Sequence, residues 1–424
     1  MAPTRHCHCV LTPNAANKPH DTTPHLLNET PMTKAPTPCD ASPVLISVGT
    51  RPEIIKMAPV HAELRRRGVP VAWVHTRQHR EMADTLYDFF GIQPEHQIAL
   101  ERRNGSLAHL NGQLLEGLSA LFEQLAPRAV LVHGDTTSTL ASAQAAYYLN
   151  VPVGHVEAGL RTFMSREPFP EEKNRELTAR LACWHFAPTA GAAANLAREG
   201  IDGAAVHTVG NTAVDAALAT CVRLDQLIAD GGVALPAEIN LLQRNVGVRR
   251  LMTVTAHRRE NWGDGIRSTA RAVASLLNNN ADLAVVWPVH GNPVVGDTVH
   301  AELDELAGTL DGRLTLCPPL DYPALLWCLR RSALVLTDSG GIQEEGAALS
   351  VPVLVLRNTT ERPELIDAGA GMLVGTGEAH IVSVVSHLLT DNTDLTRMRA
   401  ATNPFGDGHT SARVADILQR DLGV

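Results

Sequence analysis

The sequence predicts an α/β protein with two β-α domains in tandem, each built around a parallel sheet. Short apolar runs alternate with amphipathic stretches from Val44 onward, and the same alternation begins again near Leu251. Between the two series, from about Ile228 to Arg249, lies a polar, Gly-containing stretch that reads either as a boundary or as an insertion in the second domain. At 424 residues and 44% hydrophobic, the chain has apolar material for two cores. No repeat of fixed period is present.

Residues 1–42 are rich in Pro, Thr and Asn and nearly free of apolar periodicity, so they are expected to form a disordered extension. VLISV (44–48) reads as the first strand, and Pro52 stands where a first helical turn favours it, with the helix running to about Gly68. Further strands are expected at Val69–Val74, Ala129–His133, Val151–Val156, His185–Ala187 and Val206–Val209. Leu107, Leu110, Leu114, Leu118 and Leu121 are spaced three or four apart, as one buried helix face requires. The second series is LMTVTA, LAVVWP, RLTLC, ALVLT, VPVLVL and GMLV, each followed by a helix-compatible segment. The expected division is 43–211 for the first domain, 212–403 for the second and 404–424 for a C-terminal helix.

A net charge of −9 and a pI near 6.1 argue against nucleic acid or an acidic membrane surface as partner. No apolar run approaches the roughly 18 residues that span a bilayer, and the first forty residues lack a signal-peptide core. A soluble, cytoplasmic protein is expected. The seven cysteines are scattered and odd in number, so reduced thiols are expected rather than a disulfide framework. His6, Cys7, His8 and Cys9 have no second ligand pair at zinc spacing, and no metal site is expected.

The chemistry-bearing residues gather at strand ends, where α/β proteins bind ligands. Between Leu131 and Arg175, Asp135, Glu157, Arg161 and Glu171 stand at or just beyond apolar strands. Clustered carboxylates raise one another's pKa, while Arg161 or Arg175 would lower them. The same residues would also serve as loop caps, or, for Glu171, as the acidic first turn of a helix. GTRPEIIK (49–56) opens a helix with Gly49, Arg51 and Lys56, a composition suited to a phosphate but lacking the Walker and GxGxxG patterns. TDSGGIQEE (337–345) repeats the layout: Ser339, Gly340 and Gly341 offer a hydroxyl and open backbone N–H groups, and Glu344 or Glu345 could accept from ribose hydroxyls. Arg362 in TTERPE adds a charge-assisted contact, and His257 in AHRREN is a proton-exchange candidate. His290 and His133 are weaker candidates of the same kind.

Taken in order, GTRPEIIKMAP, QHREM, HGDTTSTL, GHVEAGLR, FPEEKNR, AHRREN, TDSGGIQEE and TTERPE resemble the non-hydrolysing UDP-N-acetylglucosamine 2-epimerases, from about Val44 to the C-terminus. The resemblance implies two facing Rossmann-like domains of the GT-B type, the active site in the cleft between them, and a helix after Pro404 that crosses back to the first domain. It implies reversible inversion at C2 of UDP-N-acetylglucosamine to give UDP-N-acetylmannosamine, by elimination of UDP to a glycal and re-addition, with no nicotinamide or metal cofactor. The product would supply N-acetylmannosamine units for cell-surface polysaccharide. Asp135, Glu157, Glu171 and His257 match the family's acid/base and stabilising positions. Arg51, Lys56, Ser339, Gly340, Glu345 and Arg362 match positions that bind UDP, with Gly341 in the same turn. A homodimer is implied, as is a second UDP-N-acetylglucosamine bound as activator at Gln78, Glu81, Glu171, Arg258 and His290. Two positions depart from the pattern: Leu320 and Leu325 replace a Gln and a Phe near the uridine, and Gln113 replaces an arginine of the activator site. The alternatives are a GT-B glycosyltransferase, which needs no carboxylate cluster in the first domain, a hydrolysing 2-epimerase, and a silent nucleotide-sugar sensor.

Overall fold

Strands paired in parallel must be joined by crossovers that pack on the sheet faces, and both halves of the chain are built this way. The computed structural model describes residues 42–79, 83–101, 105–230 and 237–423. In the first half, seven parallel strands form one sheet: β1 (Val44–Val48), β2 (Val71–His75), β3 (His96–Gln97), β4 (Ala129–His133), β5 (Val153–Val156), β6 (Trp184–Ala187) and β7 (Val206–Thr208). Six parallel strands form the second sheet: β8 (Arg250–Thr255), β9 (Leu283–Pro288), β10 (Leu314–Cys317), β11 (Ser332–Thr337), β12 (Val353–Val355) and β13 (Gly371–Leu373). The orders are β3-β2-β1-β4-β5-β6-β7 and β10-β9-β8-β11-β12-β13. The expected α/β fold with two parallel sheets is present, and every expected strand is found within two residues of its expected ends. One strand is additional: β3 is only two residues long and pairs at the sheet edge with Val74 and His75.

The central strands are buried on both faces, which is why they read as unbroken apolar runs. Val44, Ile46 and Val48 of β1 face one core, and Leu45 faces the other. The first core is completed by Ile54, Met57, Val60 and Leu64 of the helix Arg51–Arg66. Leu110, Leu114, Leu118 and Phe122 of the helix Leu107–Leu125 fill the second. The same alternation divides β9, where Val285 and Trp287 join one cluster and Ala284 and Val286 another.

Two helices tie the halves together. Thr212–Ala229 packs against Arg51–Arg66 of the first half and against Tyr322–Arg331 and Gly340–Ala348 of the second. The last helix, Thr410–Leu422, returns to Arg51–Arg66 and places Val414, Ala415 and Leu418 in the first core. Buried Asp215 accepts hydrogen bonds from Thr410 N (3.3 Å) and Ser411 N (2.7 Å), capping the N-terminus of this last helix from a distant element. Arg67 donates to Gln419 Oε1 at 2.9 Å and to the Ala412 carbonyl at 3.2 Å.

Among the described residues no helix is long and apolar enough to cross a membrane. The N-terminal extension assigned to residues 1–42 lies, apart from Ser42, outside the described residues, as do His6 to Cys9 and Glu81.

Truncating fully buried Leu418 to Ala should cost about 2–5 kcal/mol of stability, read as a lower urea midpoint. The same change at exposed Leu177 should stay within about 0.5 kcal/mol.

Candidate active site

In an open parallel sheet, the point where strand order reverses leaves a crevice, because neighbouring strands send their following chain to opposite faces. The reversal falls between β1 and β4 in one sheet and between β8 and β11 in the other. The loops leaving those four strands, and the helices they open, carry Arg51 and Lys56, Asp135, His257, and Ser339 with its glycines.

β1 ends in Gly49, where a Cβ would lie 2.2 Å from both Ser138 Oγ and Thr76 Oγ1. No side chain fits there. Glu53, 1% exposed, accepts from Gly49 N (3.0 Å) and Thr50 N (2.7 Å), and its other oxygen accepts from the Thr136 hydroxyl (2.8 Å). One carboxylate therefore fixes the β1 loop to the β4 loop. Arg51, at the helix start, is half-buried; burial lowers its pKa and the field of Asp321 opposes the shift.

β4 leads through Gly134 (φ 68°) to Asp135, whose carboxylate pairs with Arg175 and whose carbonyl accepts from Asn174 Nδ2 at 2.8 Å. Burial pushes the Asp135 carboxyl above its ordinary pKa, Arg175 pulls it down and Glu157 adds to the rise. Glu157 follows β5 with φ 64°, a left-handed conformation that is strained for a residue with a side chain. His133 Nε2 stands 3.6 Å from Glu157 Oε2, and burial brings the His133 pKa down to about 4, so it is neutral at pH 7. Glu171 is half-buried in the first turn of the helix Glu171–Leu181 and makes no hydrogen bond or ion pair among the described residues. It lies three and four residues before Asn174 and Arg175, on the helix face that meets Asp135. Its neighbour Glu172 is fully buried and accepts from Thr162 N (3.0 Å) and Phe163 N (2.8 Å). Arg161, grouped with these carboxylates by sequence, instead makes a two-pronged bond to Glu199 (2.6 and 2.9 Å).

In the second half, Asp338 is fully buried and accepts from the backbone N–H groups of His257 and Arg258, each at 2.9 Å, and from Asn261 Nδ2 at 2.9 Å. It also lies 3.3 Å from His257 Nδ1. This carboxylate fixes the β8 loop to the β11 loop, as Glu53 does in the first sheet. Burial lowers the His257 pKa, Asp338 opposes the shift, and His290 adds to it. The His257 and His290 rings stack at 5.4 Å. Ser339 is the N-cap residue of the helix Gly340–Ala348. A Cβ on Gly340 would come within 2.9 Å of the Arg362 guanidinium carbon, whereas Gly341 has nothing within 4 Å. Thus only Gly340 is required by close approach. Thr360 Oγ1 donates to Gln343 Oε1 at 2.7 Å and anchors the Arg362 loop to the same helix.

The halves meet at Lys56. Its Nζ lies 2.5 Å from Glu157 Oε1 of its own half and 3.0 Å from Glu344 Oε2 of the other. Glu344 Oε1 accepts from Arg362 Nε (3.0 Å) and Nη2 (2.8 Å), and Arg362 also reaches Glu361 at 2.9 Å. Burial disfavours each charge in this network, but opposite charges outweigh it: Lys56 and Arg362 are raised and Glu157 is lowered from their ordinary values. Glu345 is pushed up to about 8 by burial and by Glu344, with the field of Lys56 opposing the rise.

Of the residues that the resemblance implies for an activator, Arg258 lies 3.7 Å from Glu361 and so adjoins the Arg362 network, while His290 stacks on His257. Gln78 accepts from Ser138 N (3.0 Å) and Ser138 Oγ (2.8 Å), holding the β4 loop. Leu320 is buried with Ala324, Trp327 and Cys328, and Leu325 packs partly buried at the edge of that cluster. Glu53, Asp338 and the bridging role of Glu344 were missed by sequence reasoning. A Glu three residues after Thr50 is a legible capping signal, but its second reach to Thr136 is not.

A family model described as UDP-N-acetylglucosamine 2-epimerase matches residues 62–419. The chain is 42% identical over 378 residues to the UDP-N-acetylglucosamine 2-epimerase of Salmonella typhimurium, covering 89% of this chain and 98% of that one. Its structure is similar to that of the Neisseria meningitidis UDP-GlcNAc 2-epimerase bound to UDP-GlcNAc, with TM-score 0.79, 37% identity and coverage of 89% and 99%. It is also similar to the Methanocaldococcus jannaschii enzyme in complex with UDP-GlcNAc and UDP, with TM-score 0.70, 30% identity and coverage of 89% and 99%. With matches this extensive in both sequence and structure, the chain belongs to the UDP-N-acetylglucosamine 2-epimerase family.

Proposed function

We propose that this protein interconverts UDP-N-acetylglucosamine and UDP-N-acetylmannosamine by anti-parallel use of two facing crevices: UDP held by the second half, the sugar presented to the carboxylates of the first. One observation carries the reading. Lys56 stands between Glu157 and Glu344, so a cation suited to a departing diphosphate adjoins both the carboxylates of one crevice and the Arg362 clamp of the other.

The C2 proton is not next to a carbonyl, so its removal is coupled to loss of the C1 substituent. A base takes the C2 proton, the C–H electron pair forms the C1–C2 double bond, and the C1–O bond breaks with its pair leaving on UDP. In the return step the UDP oxygen attacks C1 and a proton is delivered to the opposite face of C2. Asp135, Glu157, Glu171 and His257 serve jointly as the proton-transfer and stabilising groups. Asp135, raised by burial, has the character of a group that can exchange a proton, whereas Glu157, held ionised against Lys56, is suited to electrostatic stabilisation. Arg51, Lys56 and Arg362 bind the diphosphate, with Ser339, Gly340 and Gly341 at the helix N-terminus. Glu345 accepts from the ribose hydroxyls. As the diphosphate enters, it takes over from Glu344 as partner of Lys56 and Arg362. Arg258, beside the same network, and His290, stacked on His257, belong to a site for a second UDP-N-acetylglucosamine as activator.

Incubation with UDP-N-acetylglucosamine in D₂O should give both UDP-sugars with deuterium at C2 by NMR. Unlabelled sugar, or accumulation of free sugar, would sink the proposal. Asp135→Asn or Glu157→Gln should lower turnover by about 10²–10⁴-fold while UDP still binds by calorimetry; near wild-type turnover would overturn the assignment. With Glu345 near pKa 8 in the free protein, a charge-assisted bond from ribose, the stronger kind, requires proton loss. UDP affinity should therefore rise about five-fold from pH 7 to pH 8 and level off above pH 9. Glu345→Gln should flatten that profile, and a flat profile in the unsubstituted protein would refute this role. Added UDP-N-acetylglucosamine should stimulate the reverse reaction; hyperbolic kinetics with no stimulation would remove the activator site.

A further inference from the structure

Away from the crevices, the helices Arg51–Arg66, Ala83–Phe90 and Thr212–Ala229 enclose an open pocket of about 460 Å³. Its wall is formed by Pro59, His61 and Arg65 of the first helix, Phe89 and Phe90 of the second, and Ala219 and Arg223 of the third. Volumes of this size suit a small organic ligand, and pockets at the junction of two halves are common ligand sites. The pocket lies at such a junction: Phe90 is in ring contact with Tyr322 of the second half at 6.3 Å, and Phe89 packs against the cluster containing Leu320 and Trp327.

The chemistry of the wall is selective. Arg65 and Arg223 have no carboxylate partner among the described residues, although the chain carries a net charge of −9. Arg223 sits over the Phe89 ring at 5.4 Å, which orients its guanidinium beside an aromatic surface. His61 is only 4% exposed, and its Nε2 has no hydrogen-bond partner. The nearest acid acting on His61, Glu95, already accepts from Trp73 N at 2.7 Å. Two unpaired cations beside two phenyl rings complement an aromatic body with an anionic head.

We infer that this pocket is a second ligand site, separate from the catalytic crevices, that takes a small aromatic anion. Nothing in the reaction assigned to the crevices uses Arg65, Arg223, Phe89 or Phe90. The site adjoins it mechanically, because the helix that carries Arg65 also carries Lys56, and the helix that carries Arg223 packs against the one bearing Glu344. A bound anion would thus stiffen the seam across which Lys56 meets Glu344.

The probe is 8-anilinonaphthalene-1-sulfonate, an aromatic anion, titrated by fluorescence against the full chain, with neutral N-phenyl-1-naphthylamine for comparison. The anion should bind saturably at one site and at least tenfold more tightly than the neutral dye. The double variant Arg65→Glu/Arg223→Glu should weaken it at least tenfold, and Ala219→Trp, which fills the pocket, should abolish it. Far-UV circular dichroism and unchanged turnover establish that both variants are folded. Equal binding of the two dyes, or wild-type affinity in either variant, overturns the proposal.

Discussion

A buried ammonium is costly unless carboxylates surround it, and Lys56 draws one from each half of the molecule. Glu157 reaches it from the end of β5 and Glu344 from the helix after β11. Most of the site follows from that arrangement. Glu344 can serve Lys56 only because Arg362 holds its other oxygen, and Arg362 can lie there only because Gly340 has no side chain. Glu157 accepts a strained backbone conformation to present its oxygen to the same cation. Removing Lys56 would leave two carboxylates facing each other across the seam with one cation fewer between them.

Each half also contains a buried carboxylate that ties one strand-end segment to another. Glu53 and Asp338 are nearly or fully buried; Glu53 collects donors from the segments after β1 and β4, and Asp338, which follows β11, collects backbone and side-chain donors from the segment after β8. Charge-assisted bonds of this kind are short and directional. They hold the segments that carry Lys56 and Asp135 on one side, and His257 and Ser339 on the other, at fixed separations. A site assembled from loops thereby gains the rigidity of the strands beneath it.

The strands were legible because most are buried on both faces and spell continuous apolar runs, and the strand-end positions of Asp135, Glu157 and His257 followed from them. β3 was not legible, since two residues cannot show a period. Arg161 could not be told from Arg175 by spacing: both follow the same strand, but one turns to Glu199 and the other to Asp135. Nor could the sequence show that Glu344 pairs with Lys56 while Glu345 makes no such ion pair among the described residues, because adjacent helix positions point about 100° apart and the direction depends on packing. Gly340 and Gly341 look equivalent on paper, yet only at the first would a side chain displace the Arg362 guanidinium.

The return of the last helix to the first half has a bearing on how the protein is made. Val414, Ala415 and Leu418 join a core that gathers β1, the helix that follows it, residues of β2, β4, β5 and β6, and Tyr322 and Leu326 of the second half. Synthesis proceeds from the N-terminus, so the first sheet emerges early but keeps an apolar face open while the entire second sheet is translated. The first half is therefore translated before the helix that closes its core, and Asp215 can accept from the Thr410 and Ser411 amides only once that last helix has been made.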